Sequence, residues 1–404
     1  MTLFAAGYNG TIVPYSVHAE DGKLAQISQG VQANSSGTSP SWISYSSRDA
    51  HFPSSSSSSN EGDKGTLYAV TDLYSVDESS PGRIFSHTYD ASTGSIAQTG
   101  KTSAQRTAGT SSGGDGPVSC LIGHGPSKGL LFVANYNSGS AAVLSINDVD
   151  GTLSEPKQVF QFTRPAGQPK VGPVADRQDH SYAHQVSISP SGRWVYVCDL
   201  GADQIHHLRI HQGQVEFTGS TDVKVGSGPR HVTFYRDTSG KTWAYLASEL
   251  DNTVSAFSVD EHSGRLELIA KPVLASPPGV PLSGEGILPT NRTTAEIAAV
   301  PTGDYVYVSN RGDTRQDHIT IFKRNPTTGE LTFQEWVQSG GRMPRHFSLS
   351  SDTGNDEQAR WLVVGHQTDQ NLVVFSRDVV TGGLVKVNER KDVGQVAFAG
   401  FSPF

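Results

Sequence analysis

Cysteine is scarce, with two residues in a chain of 404. That count excludes a fold stapled by a disulfide framework. Cys120 lies in the apolar stretch 118–122 and Cys198 in 194–200. Both read as buried strand residues with a structural role, not as reactive thiols. Charge is also thin, at 17% of residues, with a net charge of -8. An acidic body argues against nucleic acid or an anionic membrane surface as partner, and an anionic ligand would need a locally basic site. No run approaches the roughly 18 apolar residues of a membrane span. The first residues carry neither the basic nor the apolar region of a secretory signal. A cytosolic protein is the expectation, and there the sequons Asn9-Gly-Thr and Asn291-Arg-Thr carry no meaning.

Glycine is abundant, with 43 residues, and much of it is periodic. Gly22, Gly94, Gly151, Gly213, Gly264, Gly329 and Gly382 each stand two residues before an aliphatic: Leu24, Ile96, Leu153, Val215, Leu266, Leu331 and Leu384. Before each glycine come apolar runs separated by polar turns. The spacing averages roughly 60 residues, longer than the 40–50 of common propeller repeats. Seven markers of a four-stranded unit predict an all-β, seven-bladed β-propeller. A single blade cannot bury both its faces, so residues 1–404 are expected to form one closed domain.

The fourth repeat is the clearest, with strands predicted over 185–189, 194–199, 205–210 and 215–223. The fifth follows at 231–235, 243–248, 254–259 and 266–272, and the sixth at 296–300, 305–310, 319–324 and 331–337. The seventh begins at His346 and continues through 361–365 and 372–377. In the first repeat 3–8, 12–17 and 24–28 match second, third and fourth strands, and no inner strand precedes them. The C-terminal stretch 395–401 has no repeat of its own. It is expected to supply the missing strand, closing the ring and removing open sheet edges.

Three insertions interrupt the pattern. The serine run Ser54–Ser59 joins a first to a second strand and reads as a mobile loop. Residues 156–183 and 275–294 join an outer strand to the next inner strand. In an up-and-down blade those two connections share a face with the turns between second and third strands, and the serine run faces the other way.

On the favoured face, His184, Arg230-His231 and Arg345-His346 precede inner strands. Asp199, Glu249, Asn310-Arg311 and His366 follow second strands. Arg230, Arg311 and Arg345 near one axis would make a strong anion site. Glu249 or His184 beside them could move a proton. Each has a plainer reading: Arg311 bridging Asp313, Glu249 merely pairing Arg230, His184 acting as a spacer between blades. His206, His207 and His211 are expected to be solvated, and Asp179 and His180 to take an ordinary loop role. A metal held by His184, His231 and His346 is disfavoured by the arginines, so no metal or other cofactor is expected.

The segments Ala183-His-Gln-Val-Ser-Ile-Ser-Pro, Gly228-Pro-Arg-His-Val-Thr-Phe, Ser248-Glu-Leu-Asp-Asn, Ala295-Glu-Ile, Val308-Ser-Asn-Arg-Gly and Met343-Pro-Arg-His-Phe resemble the seven-bladed lactonase family. That family includes propeller 6-phosphogluconolactonases and fungal 3-carboxy-cis,cis-muconate lactonizing enzymes. The resemblance spans nearly the whole chain and is strongest from 183 to 347. It implies a catalytic set of His184, Arg230, Glu249 and Arg311. His231, Asn310, Arg345 and His346, at neighbouring repeat positions, are expected to bind substrate. The Pro-Arg-His segments look closer to the phosphogluconolactonase branch, and Arg345 would suit a second anionic group. The long connections depart from the family pattern beside the site.

The expected activity is hydrolysis of an anionic sugar lactone, 6-phosphogluconolactone first, by a monomer without cofactor. The alternatives are cycloisomerisation of a carboxymuconate and a non-enzymatic propeller scaffold.

Overall fold

Second strands such as Trp194–Asp199 and Trp361–His366 are buried at every position. A strand reads as continuous burial only when both faces of its sheet are covered. Outer strands such as Gln214–Asp222 and Leu384–Arg390 bury their first apolar residue and leave most others in water. This inward gradient is that of a four-stranded blade standing edge-on to an axis. A computed structural model describes residues 1–32, 39–47, 64–72, 82–99, 109–353 and 356–402. The serine run Ser54–Ser59 lies outside the described residues.

The described strands form seven antiparallel sheets. Numbering blades in chain order, blade 2 starts with the inner strand Ser39–Ser47, blade 3 with Pro117–Ile122 and blade 4 with Ala183–Ile188. Blade 5 starts with Pro229–Arg236, blade 6 with Thr293–Ala299 and blade 7 with Pro344–Leu349. Blade 1 takes Thr2–Gly7, Thr11–Val17 and Leu24–Gln26 from the N-terminus. Its inner strand is Val396–Phe401, antiparallel to Thr2–Gly7 with Ala5 opposite Ala399. The seven-bladed ring closed by the C-terminal strand is thus the architecture read from the repeats.

Seven apolar clusters hold the ring, one between each pair of neighbouring blades. The repeated hairpin glycines belong to these joints. All seven have positive φ, from 68° to 77°, which only glycine adopts at little cost. Four also sit against the preceding blade, where a Cβ would overlap an aromatic ring: Gly22 on Trp361, Gly264 on Trp194, Gly329 on Trp243 and Gly382 on Tyr305. Two residues along the preceding blade's second strand, a tyrosine hydroxyl donates to the glycine carbonyl. Tyr196 reaches Gly264 at 3.0 Å, Tyr245 reaches Gly329 at 3.0 Å and Tyr307 reaches Gly382 at 2.6 Å. Tyr68 does the same to Gly151 at 2.9 Å.

Gly213 has φ 75° but open space where a Cβ would stand. Gly213→Ala should therefore cost only the left-handed backbone strain, about 1 kcal/mol. Gly329→Ala adds overpacking against Trp243 and should cost about 2–4 kcal/mol. Denaturant unfolding of both variants checks the difference, and equal losses would contradict the joint.

Candidate active site

Pairing slips by one residue at the start of the inner strands. In blade 4 Ala183 faces Asp199 and Gln185 faces Cys198, leaving His184 as the extra residue. Arg230 is the extra residue in blade 5 and Arg345 in blade 7. Val118 takes that place in blade 3. A bulge of this kind re-aims a side chain. Here His184, Arg230, Arg345 and Val118 line one narrow void on the axis.

Above them opens a cleft of about 630 Å³, lined by His184, Glu249, Arg311 and Arg345 and by Arg177 and Thr290 from the two long connections. Glu249 is its electrostatic centre. Oε2 meets Nε of Arg230 at 2.8 Å and Nη2 of Arg311 at 3.2 Å, and Oε1 meets Nη2 of Arg177 at 2.9 Å. Its carboxylate is buried, which alone would raise its pKa. The guanidiniums of Arg311, Arg177 and Arg230 outweigh that and hold it far below the usual carboxylate range. Burial and the neighbouring Arg311 push Arg230 down to about 9, which leaves it charged at neutral pH. With Arg345 also on the wall, four guanidiniums and one ionised carboxylate share the cleft and the space beneath it. The local charge is positive on a protein of net charge -8.

Arg177 could not be found from repeat position, because it comes from the connection 156–183. It stands in the single turn Ala175–Arg177, where its Nε also donates to the Tyr136 hydroxyl at 3.2 Å. The Tyr136 ring stands edge-on to His184, with centroids 5.5 Å apart. Nδ1 of His184 is buried with no hydrogen-bond partner among the described residues. Burial first, then Arg230, Arg345 and Arg177, holds His184 well below the ordinary imidazole range, so it is neutral.

Other expected residues fall elsewhere. His231 and His346 lie one level lower, buried against Glu296 at 3.0 Å and 3.2 Å. They line the axial void of about 10 Å³ and not the cleft. That void is near the lower limit for one water, so the cleft has a floor. Asn310 is kept from the cleft: its amide donates to Asn252 at 2.6 Å and to the Ala275 carbonyl at 3.3 Å, inside the blade 5–6 joint. Arg311 pairs with Glu249, while Arg292 takes Asp313 at 3.0 Å.

His206 and His207 are buried, not solvated. His206 stacks on Phe162 at 3.8 Å and bonds Asp199 at 3.0 Å. Asp199 also accepts from Ser181 and from the backbone of Tyr182 and Ala202, which makes it a loop anchor. His180 pairs with Asp179 at 3.0 Å and reaches the Asn137 carbonyl, both partly open to water.

The description "Lactonase, 7-bladed beta-propeller" matches residues 2–401. The chain belongs to the seven-bladed β-propeller lactonase family. It is 31% identical over 270 residues to the 6-phosphogluconolactonase of Bacillus subtilis, covering 67% of this chain and 69% of that one. The 6-phosphogluconolactonase of Formosa agariphila is 28% identical over 263 residues, 64% of this chain and 66% of the relative. The fold matches the periplasmic gluconolactonase of Pseudomonas aeruginosa with a TM-score of 0.75 at 23% identity, covering 98% of both chains.

In this lactonase-family propeller, Glu249→Gln should leave the buried guanidiniums of Arg230 and Arg311, and the half-buried one of Arg177, facing one another without a carboxylate. The expected loss is about 3–5 kcal/mol of stability. Inorganic phosphate should recover part of it by occupying the cleft. Thermal unfolding with and without phosphate measures both effects, and an unchanged midpoint would contradict the clamp.

Proposed function

We propose that this protein hydrolyses an anionic sugar lactone, with 6-phosphogluconolactone as the leading substrate. The observation that carries this reading is the surplus of guanidinium charge around one fixed carboxylate in the cleft. Two relatives named 6-phosphogluconolactonase support the choice of lactone. They offer no support for the cycloisomerase alternative, and the charged cleft argues against a mere scaffold.

Glu249 is too weak a base for the reaction, because protonating it would break its contacts with three arginines. His184 takes the role. It is neutral, and it lines the cleft beside Arg311 and Arg345. Water attacks the lactone carbonyl while His184 accepts its proton. The oxyanion that develops is stabilised by Arg311 on the cleft wall, with Arg230 adding positive charge from beneath, and Glu249 holds both in place. The tetrahedral intermediate collapses, the ring C–O bond breaks, and the departing alkoxide takes the proton back from His184. Arg345, on the cleft wall above a Tyr8 ring 5.7 Å away, holds the substrate's anionic group.

Arg311→Ala should lower kcat/KM by about 10²–10³-fold, the usual loss for one oxyanion donor. The assay is hydrolysis of fresh 6-phosphogluconolactone coupled to 6-phosphogluconate dehydrogenase, corrected for spontaneous opening. No acceleration by the wild type would reject the substrate. Full turnover in the variant would remove Arg311 from the mechanism. His184→Ala should lose kcat with little change in KM.

A further inference from the structure

Beneath the cleft lies a second tier that the proposed mechanism leaves unused. Glu296 stands in the bulge of blade 6 at the position held by His231 in blade 5 and His346 in blade 7. It is buried between those two rings, with Trp42 edge-on to both at 5.4 Å and 4.9 Å.

The hydrogen-bond partners place the protons. Nη1 of Arg230 lies 3.2 Å from Nε2 of His231, closer than the 3.4 Å to Nδ1. A guanidinium only donates, so Nε2 accepts and the ring proton sits on Nδ1. That Nδ1 lies 3.0 Å from Oε1 of Glu296 and donates to it. Oε1 accepts a second bond from the backbone N–H of Ile297 at 3.1 Å. Oε2 is different: it is buried and receives no hydrogen bond among the described residues. Its near neighbour is Nε2 of His346, at 3.2 Å. The other nitrogen of that ring, Nδ1, lies 2.9 Å from the Ala399 carbonyl, which requires an N–H there. The backbone N–H of Ala399 is farther, at 3.3 Å. Nε2 of the neutral ring is therefore a lone pair, and a lone pair beside a carboxylate oxygen needs a proton between them.

We propose that Glu296 is a protonated carboxylic acid at neutral pH, a neutral positioning residue that fixes the tautomers of His231 and His346 under Arg230. Oε1 is the carbonyl oxygen with two donors, and Oε2 is the hydroxyl facing His346. An ionised Glu296 would instead leave Oε2 buried without a donor, which is costly. Burial pushes the carboxyl up to about 8, and Asp352 adds to the rise, while Arg230 and the Ile297 N–H oppose it. The charged and titratable groups facing it are His231 and Arg230 from blade 5, His346 and its neighbour Arg345 from blade 7, and Asp352 from the turn after that strand. His184 lies one ring further, 5.1 Å from His231.

Two consequences follow from the sign of the shift. The folded state keeps a proton that the unfolded chain releases near pH 4.5, so this group's stabilising contribution falls as pH rises from about 5 to about 8. Above about 8 the acid ionises beside Arg230 and offsets the positive charge of the cleft. This second effect rests on the anion-binding reading above.

The test uses Glu296→Gln, which reproduces the protonated acid: its oxygen accepts from His231 and Ile297, and its NH2 donates to His346. Infrared spectra at pH 7 should show a buried carboxylic acid C=O band in the wild type that is missing in Glu296→Gln. The unfolding midpoint of Glu296→Gln should rise relative to wild type between pH 5 and 8 and level off above. Affinity for 6-phosphogluconate should fall roughly threefold in the wild type between pH 7 and 8.5, below the range in which Arg230 loses charge, and much less in Glu296→Gln. Glu296→Ala should lose affinity already at pH 7, with Glu296→Gln restoring it.

Absence of the acid band at pH 7, or a midpoint difference independent of pH, overturns the protonated state. Equal alkaline losses of affinity in wild type and Glu296→Gln overturn its link to the cleft. The infrared and unfolding measurements need no substrate. A wild type that shows the band yet neither binds 6-phosphogluconate nor opens the lactone counts against the lactonase reading and the link to the cleft, not the protonation.

Discussion

Closure of the ring is the constraint on which the other features depend. Second strands buried on both faces, such as Trp194–Asp199, are stable only if a blade stands on each side. No blade can therefore be peripheral, and the two chain ends must meet in one sheet. The same constraint makes the joints tight. A hairpin glycine in the left-handed region lets one blade's tip lie flat on the ring that opens its neighbour's second strand. The tyrosine two residues along then satisfies that glycine's carbonyl. The repeated Gly-x-aliphatic signature records both a turn and a docking surface.

Closure also brings the inner strands to one axis, and the one-residue bulge converts that convergence into chemistry. A regular strand would alternate its side chains between its two faces. The bulge turns two successive residues the same way. That gives one tier containing His184, Arg230 and Arg345 and a lower one containing Trp42, His231, Glu296 and His346. The upper tier opens to the cleft and the lower tier closes it.

Repeat position made much of this legible in the sequence. The strands of blades 4, 5 and 6 start and end within a few residues of the hydrophobic pattern, because a half-buried or fully buried strand has few alternative readings. His184, Arg230, Glu249, Arg311 and Arg345 meet because each sits at an equivalent point of its blade. Asn310 fails by the same geometry: it adjoins Arg311, and adjacent strand residues point to opposite faces, so Asn310 enters the blade joint. His206 was misread because an outer-lying third strand looks solvent-facing until Phe162 covers it. Arg177 had no positional signal at all, since the course of residues 156–183 is set by tertiary packing. Glu296 did have one, its alignment with His231 and His346. Its meaning depended on protons that only the hydrogen-bond partners reveal.

Two buried glutamates a short way apart thus meet opposite fates. Glu249 faces three guanidiniums and is held ionised. Glu296 faces two neutral imidazoles in a dry site and is driven toward the acid. Environments that push two like groups apart in pKa divide their chemical labour. A fixed anion at Glu249 orients the arginines without competing for protons. A neutral Glu296 leaves their charge uncancelled from below. If Glu296 were also ionised, the arginines would be closer to neutralised before any ligand arrived, and the cleft would lose the field that recommends it to an anion. His184 stands in the upper tier, neutral because burial and the arginines around it both disfavour a charge. A neutral imidazole can accept a proton, and a cationic one cannot. In the proposed reaction the positive field therefore does two things: it draws the anionic lactone in, and it keeps the base unprotonated until the water attacks the carbonyl.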